Sequence, residues 1–215
     1  MRKIPIIIGE YYHIYNRGVD KRSIFVDKQD ALRFLQSMEL FNNEENIGSI
    51  YRDSRKDPVR SRAPKLVKFI VYCLNQNHYH FILKSLVENG IQKFMHRLGT
   101  GYTNFFNEKY KRSGSLFQGK YKAVHIKTNE QLLHGGAYVN INDRVHLDLN
   151  ESWMQEIPFS SLQEYQGLRT GICDTSIILD QYASREEYCN GLEGILADIL
   201  KRKDQEKSLK KLLLE

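Results

Sequence analysis

Two strand-forming runs lie back to back near the middle of this sequence, joined by only three polar residues. Residues 65–74 form an almost unbroken apolar run, which predicts a central strand buried on both faces. Residues 78–84 are rich in aromatic and branched side chains and contain no glycine or proline, which predicts a second strand. Because the connection at 75–77 is so short, the two runs predict a β-hairpin.

The second strand carries two histidines one residue apart. Residues i and i+2 of a strand share a face, so His78 and His80 point the same way while Tyr79, Phe81 and Leu83 face the core. Each imidazole offers a ring-nitrogen lone pair, so the pair forms half of a divalent metal site. An isolated pair is more often two structural histidines, because two ligands do not make a site. The metal hypothesis therefore needs a third ligand.

Further strands and helices flank this hairpin. The first helix has Asp27 as its N-cap, and the last one begins with a capping box formed by Thr128 and Gln131. In order, the expected elements are a strand over 11–17, a helix after Asp27, the hairpin, a helix over 91–110, a strand ending near residue 127, and a helix from Asn129 to about Ile141.

This order predicts an α+β, ferredoxin-like (RRM-like) domain, in which an antiparallel sheet carries helices on one face. We assign it to residues 1–145. Residues 146–215 carry short helical patterns and predict a helical C-terminal extension. The polar segment from Glu44 to Pro64 is expected to be an excursion or loop.

The charge is unevenly distributed. A formal net charge of +6 and a pI near 9.1 favour a polyanionic partner. Most positive charge falls in two stretches, comprising Arg52, Arg55, Lys56, Arg60, Arg62, Lys65 and Lys68, and Lys109, Lys111, Arg112, Lys120, Lys122 and Lys127. Such clusters are typical of a face turned toward phosphates, with an ordinary solvated face as the alternative.

Cysteine usage and hydropathy indicate the compartment. The three cysteines are widely spaced and odd in number, which argues against a disulfide framework or a zinc ribbon. No apolar window reaches the length of a membrane span, and residues 1–8 are too short for a signal peptide. We therefore expect a cytoplasmic protein with no membrane partner.

The predicted last helix of the domain carries Tyr138 and Asn142, which at i and i+4 would share one face. Two glycines at 135 and 136 suggest that something approaches its backbone closely. An amide oxygen can bind a hard cation and a phenol can attack phosphorus, so these residues and the histidine pair would make a metal-plus-nucleophile site. From the residues alone, a packed Tyr138 with an exposed hydroxyl is an equally good alternative.

Several motifs resemble a known family. His78-Tyr79-His80 resembles the His-hydrophobic-His motif of the single-tyrosine HUH transposases, and residues 137–142 resemble their later helix with its tyrosine and amide. Residues 12–18, 114–122 and 160–165 resemble, more narrowly, the REP-associated tyrosine transposases. Many of those relatives have a proline where this chain has Asp143, and the sequence does not decide whether Asp143 is a cap, a metal ligand or neither.

The resemblance implies a metal-dependent endonuclease and strand transferase that acts on single-stranded DNA, often beside a hairpin. Tyr138 would attack a phosphodiester, forming a 5′-phosphotyrosine and freeing a 3′-hydroxyl. The metal would be bound by His78, His80 and Asn142. Mg²⁺ or Mn²⁺ is favoured over Zn²⁺, because such a site lacks thiolate and leaves positions for phosphate oxygens.

The residues expected to contact DNA combine positive charge with one aromatic ring and one amide. They are Asn16, Arg17, Arg112, Lys120, Tyr121 and Lys122. The expected partner is single-stranded or hairpin DNA, bound by a monomer or homodimer, and His13, His96 and His125 are expected to be structural or DNA-contacting. Two alternatives stay open: a hairpin DNA- or RNA-binding protein that does not cut, and a metal phosphoesterase that uses water.

Overall fold

The computed structural model describes residues 5–45, 64–146 and 152–212, and within them the chain forms one four-stranded antiparallel sheet. The strands are β1 (Tyr11–Arg17), β2 (Val67–Asn75), β3 (His78–Ser85) and β4 (Lys122–Ile126). The α-helices are α1 (Lys28–Leu40), α2 (Gly90–Lys109), α3 (Asn129–Asn140), α4 (Asn142–His146), α5 (Leu162–Tyr165), α6 (Ser176–Leu179) and α7 (Arg185–Leu212). The spatial order β2-β3-β1-β4 is that of a ferredoxin-like sheet, which confirms the predicted α+β fold.

The two faces of the sheet have different cores. On one face, α1 and α2 pack against the side chains that alternate inward from β1 and β3, among them Tyr12, Phe81 and Leu83. On the other face, which we call the histidine face because it carries His78 and His80, α3, α6 and α7 pack against parts of β2 and β3. The predicted division of the β3 side chains between the two faces is therefore confirmed.

The position of β2 in the sheet was predicted wrongly. Its side chains are almost all buried, as expected, but it lies at the edge of the sheet and not in the centre. Its outer side is covered by the C-terminal segment, since Leu74 donates to the carbonyl of Phe159 and Asp174 donates to that of Phe69. A central strand and an edge strand that another segment covers are both apolar on both faces, so the apolar run could not distinguish the two positions.

Local signals placed the starts of α1 and α3 correctly, and the end of α3 to within one residue. The side chain of Asp27 accepts from the Asp30 amide at the start of α1, and that of Thr128 accepts from the Gln131 amide at the start of α3. However, α3 ends at Asn140, and Asn142 begins a separate short helix. Tyr138 and Asn142 therefore do not lie four residues apart on one continuous helix.

The C-terminal segment is helical, as predicted, and it packs on the sheet. Side chains of α7 such as Tyr188 and Leu192 lie in the core of the histidine face together with Val139 of α3. The division into two parts at residue 145 stays a prediction. The excursion predicted between Glu44 and Pro64, with Arg52, Arg55, Lys56, Arg60 and Arg62, lies almost wholly outside the described residues. Of the helices in the described ranges, none is both long and apolar enough to cross a membrane.

Candidate metal and nucleophile site

His78 begins β3 directly after a two-residue turn and is held by hydrogen bonds at both ring nitrogens. Its Nδ1 lies 2.6 Å from Oδ1 of Asn77, an acceptor, so Nδ1 carries the proton. Its Nε2 then has the lone pair, which accepts from Nδ2 of Asn75 at 3.1 Å. The ring orientation and the tautomer of His78 are thus both set by residues of the same hairpin.

His80 lies two residues further along β3, on the same face. The centroids of the His78 and His80 rings are 5.1 Å apart and their planes are perpendicular. Nδ1 of His80 is 2.9 Å from Nε2 of His13, a residue of the neighbouring strand β1. Burial lowers the pKa of His13 to about 4, so this imidazole is neutral at physiological pH.

Asn142 completes a chain of polar contacts that starts at His78. Its side chain is fully buried, and its Oδ1 accepts from Nδ2 of Asn75 at 2.8 Å. The same amide nitrogen donates to His78, so the lone pairs of His78 Nε2 and Asn142 Oδ1 point toward a common place. In the described part of the chain, Oδ1 of Asn75 and Nδ2 of Asn142 are buried without a hydrogen-bond partner. Buried polar groups are rarely left unsatisfied. The lone pairs of His78 Nε2 and Asn142 Oδ1 are of the kinds that can bind a divalent cation.

Tyr138 is brought to this group by the close packing of α3 on the sheet. A Cβ on Gly136 would lie 2.6 Å from Cδ1 of Ile178, and one on Gly135 would lie 3.5 Å from Cδ1 of Ile82. Gly136 thus allows α3 to approach α6 closely, as the sequence suggested, whereas a Cβ at Gly135 would make only an ordinary contact. The ring of Tyr138 stands edge-on to that of His80, with their centroids 6.3 Å apart. The candidate nucleophile Tyr138 and the histidine His80 therefore lie beside each other in the same chain.

A hydrogen-bonded brace that the sequence reasoning missed holds the end of α3. Asn140, which is fully buried, donates from Nδ2 to the Tyr188 hydroxyl at 2.7 Å and accepts at Oδ1 from the Ser161 hydroxyl at 2.6 Å. Ser161 in turn accepts from the backbone amide of Tyr72 in β2 at 3.0 Å. The brace therefore connects α3, which carries Tyr138, to strand β2. Because Ser161 belongs to the motif at residues 160–165, this motif has a structural role.

Asp143 contributes to the same connection. Its Oδ2 accepts from the hydroxyl of Ser160 at 3.0 Å and its Oδ1 from the amide of Arg144. Burial raises the pKa of this carboxyl above its usual value. Asp143 therefore ties α4 to the segment that covers β2.

The residues predicted to contact DNA are divided between the two faces of the sheet. Arg17 and Lys122 lie on the exposed part of the histidine face, and Lys120 is exposed in the preceding loop. Asn16 is largely buried on the opposite face and donates to the carbonyl of Gly119, while Tyr121 packs against the core of that face. Arg112 follows α2 and donates to the carbonyl of Ser115. The side chains of these six residues do not share one face of the sheet, and their roles in DNA binding stay predictions.

Clusters of the usual metal-binding residue types do not mark the site. Within residues 5–45, 64–146 and 152–212, no group of three or more His, Cys, Asp or Glu side chains could hold a metal ion. The predicted ligand set has two histidines and an amide, so it is a different type of cluster. His13, Asn75 and Asn77, which sequence reasoning did not assign to the site, contact its predicted ligands.

Two comparisons relate this chain to known proteins. Residues 60–142 match the family model of the IS200-like transposases. The fold is similar to that of a solved REP-associated tyrosine transposase bound to a REP hairpin, with a TM-score of 0.51 and 16% identity over 79% of this chain and 88% of the other. No curated protein sequence matches the chain. The resemblance predicted from the sequence is thereby confirmed.

Proposed function

We propose that this chain, which matches the IS200-like transposases over residues 60–142, is a single-tyrosine HUH enzyme that cuts and rejoins single-stranded DNA through Tyr138. The observation that carries the proposal is the contact between the ring of Tyr138 and that of His80, beside the converging donor atoms of His78 and Asn142. Nucleophile, imidazoles and amide come from three separate elements, β3, α3 and α4.

His78, His80 and Asn142 would hold Mg²⁺ or Mn²⁺. The hydrogen bond from His78 to Asn77 and that between His80 and His13 both use Nδ1, so each ring would coordinate through Nε2. For His80, this requires its Nδ1 to donate and the neutral His13 to accept. The Asn75 amide that now bridges His78 and Asn142 would move aside. A bound divalent cation would stabilise negative charge on a phosphate oxygen.

The chain itself would supply the nucleophile and its position. The phenol oxygen of Tyr138 forms a bond to phosphorus while the bond from phosphorus to the 3′ oxygen breaks, and the phenol proton ends on the departing 3′-hydroxyl. The fragment downstream of the cut stays attached to Tyr138 through its 5′ phosphate, as a 5′-phosphotyrosine. Because the phosphodiester energy is kept in this linkage, a second 3′-hydroxyl can attack it and rejoin DNA without ATP.

The proposed substrate is a single strand beside a hairpin. The structural neighbour was solved with a REP hairpin, and this chain has a basic sequence and exposed cations at Arg17, Lys120 and Lys122 near the candidate site. Positive side chains release counterions from the phosphate backbone and favour binding of either form. Cytoplasmic location and a monomer or homodimer remain our expectations for this protein.

The decisive experiment detects the covalent intermediate. A pool of hairpin oligonucleotides with randomised single-stranded flanks, labelled at the 3′ end, is incubated with the full chain and Mn²⁺ and then denatured in detergent. A 3′ label is needed because the tyrosine retains the fragment downstream of the cut. We expect a labelled protein band with the natural chain and with Tyr182→Phe, and none with Tyr138→Phe. Cutting without a labelled band would indicate a water-using phosphoesterase, and binding without cutting would indicate a recognition protein; either result overturns the proposal.

A further inference from the structure

Part of the histidine face is left uncovered by the helices of the described residues. Helix α3 packs over β2 and β3, where its glycines meet Val71 and Ile82. The end of β1 and the start of β4 carry exposed side chains instead, and the Val124 side chain there is 49% exposed. Because β1 is the neighbour of β3, this open area, formed by Tyr15, Arg17, Lys122 and Val124, lies directly beside His80.

Tyr15 is the aromatic residue of the open area. It pairs with His80 across the β1–β3 ladder, and the two rings are stacked with centroids 5.7 Å apart. His13 stacks on Tyr15 as well, at 5.1 Å. The Tyr15 side chain is half-buried, and its hydroxyl makes no hydrogen bond to any residue in the described ranges. A ring fixed in the middle of a sheet, with part of its surface open, is preorganised to stack on another flat group.

Positive charge surrounds this ring. Lys122 is the direct cross-strand partner of Tyr15 on β4, and Arg17 follows two residues later on β1, about 7 Å along the strand. Arg17 is oriented by a hydrogen bond from its Nε to the side chain of Gln118. Within the described residues, neither cation forms an ion pair with a carboxylate. The open area therefore combines one aromatic platform with two cations that protein carboxylates do not neutralise.

We propose that the open area binds the nucleotide next to the cleavage position, with its base stacked on Tyr15 and its phosphates contacted by Lys122 and Arg17. This rests on the proposed function, because it is the nearness of Tyr15 to His80 that places the base beside the scissile phosphate. A base bound in this way would cover the Tyr15 ring, which stacks on His13 and His80, on the side that faces the solvent. Tyr15 thereby positions the strand without taking part in the reaction.

The chemistry of the open area selects a single strand over a duplex. Bases in a duplex are already stacked on their neighbours, and only unpaired bases present a face to an aromatic side chain. Cations alone would bind both forms, since they contact phosphates. The exposed Val124, which pairs with His13 across β1 and β4, adds apolar surface that an unpaired base can cover.

The test compares two probes that differ only in their bases. The probes are oligothymidylate of about 12 nucleotides, within the usual site size of such proteins, and an abasic strand with the same number of phosphates. Binding is measured by fluorescence anisotropy with the full chain carrying Tyr138→Phe, in the absence of divalent metal, so that no cleavage occurs.

Three variants are made in that background, and each has a distinct expected result. Tyr15→Ala should weaken binding of oligothymidylate about 5- to 150-fold and leave the abasic strand unaffected. Tyr15→Phe keeps the ring and should bind both probes as before. Lys122→Gln should weaken both probes equally and reduce the slope of log K against log salt by about 0.7.

Tyr11→Ala is the matched control, because Tyr11 lies on the same strand and face but packs against the helices. It should leave the preference for oligothymidylate over the abasic strand unchanged. A second measurement covers the case in which Tyr15→Ala misfolds: a strand containing 5-iodouracil should photocrosslink to Tyr15 in the chain that keeps this residue.

Equal losses for both probes with folded Tyr15→Ala, or no loss for either, would overturn the proposal. So would crosslinks found only outside the open area. These outcomes can be separated from failure of the proposed function, because binding and crosslinking are measured without cleavage. If Tyr138 forms no covalent adduct but Tyr15 still discriminates between the probes, the chain is a single-strand-binding protein that does not cut.

Discussion

Nε2 of His13 in β1 lies 2.9 Å from Nδ1 of His80 in β3, and the two rings are stacked with centroids 5.1 Å apart. A metal-binding histidine commonly uses its second nitrogen to bond an orienting partner, which fixes the ring and its tautomer. Asn77 has this relationship to His78. Each of the two histidines predicted to bind metal thus has its own orienting residue.

Replacing His13 should therefore weaken metal binding without removing a ligand. We expect His13→Ala to lower the affinity for Mn²⁺ about 10- to 100-fold, measured by isothermal titration calorimetry. His13→Gln, whose amide oxygen can accept from His80, should retain part of the affinity. His96→Ala, at an exposed histidine of α2, is the control and should change nothing. Equal affinities for His13→Ala and the natural chain would show that His13 does not orient His80.

The brace at the end of α3 predicts a loss of stability. Tyr188→Phe removes the acceptor of the buried Asn140 Nδ2 and should lower the free energy of unfolding by about 1–3 kcal/mol, measured by urea denaturation. Tyr182→Phe is the matched control, because the Tyr182 hydroxyl makes no hydrogen bond within the described ranges and its removal should have little effect. Identical midpoints for the two variants would contradict the brace.

Gly18 is required by a close backbone contact. A Cβ at this position would lie 2.3 Å from the carbonyl oxygen of Arg22, so Gly18→Ala should shift the turn after β1 and cost about 1–3 kcal/mol. Gly99 in α2 has no heavy atom within 4 Å of such a Cβ, and Gly99→Ala should stabilise the protein by about 0.5–1 kcal/mol through helix propensity. Chemical denaturation should show changes of opposite sign in the free energy of unfolding of the two variants. An unchanged free energy of unfolding for Gly18→Ala would disprove the close contact.

The ion pair between Lys68 and Asp174 predicts a small acid sensitivity. The hydrogen bond from Lys68, 2.6 Å long, lowers the pKa of Asp174 below its usual value. In the unfolded chain this carboxyl takes up its proton near pH 3.9, so the contribution of the pair is present above that pH and is lost as pH falls through the lower folded value. Both side chains are partly exposed, so the contribution is about 0.2–1 kcal/mol. Asp174→Asn should flatten the pH dependence of unfolding below pH 4, and an unchanged slope would contradict this assignment.

Short-range patterns were sufficient for much of the fold. The alternation of β3, the turn before His78 and the capping residues Asp27 and Thr128 depend on residues only a few positions apart. These rules predicted the two faces of the sheet and the starts of α1 and α3. They failed for β2, because burial of a strand does not distinguish a central position from an edge that another segment covers.

Residue types and the two-residue period of a strand were enough to establish which chemical groups this protein has and that His78 and His80 share a face. Three contacts became visible only in the folded chain: Asn75 bridges His78 and Asn142, His13 contacts His80, and Tyr138 stands beside His80. Asn75 and Asn142, like His13 and His80, are 67 positions apart in the chain. Strand register and helix packing bring such distant residues together, and no local pattern encodes those contacts.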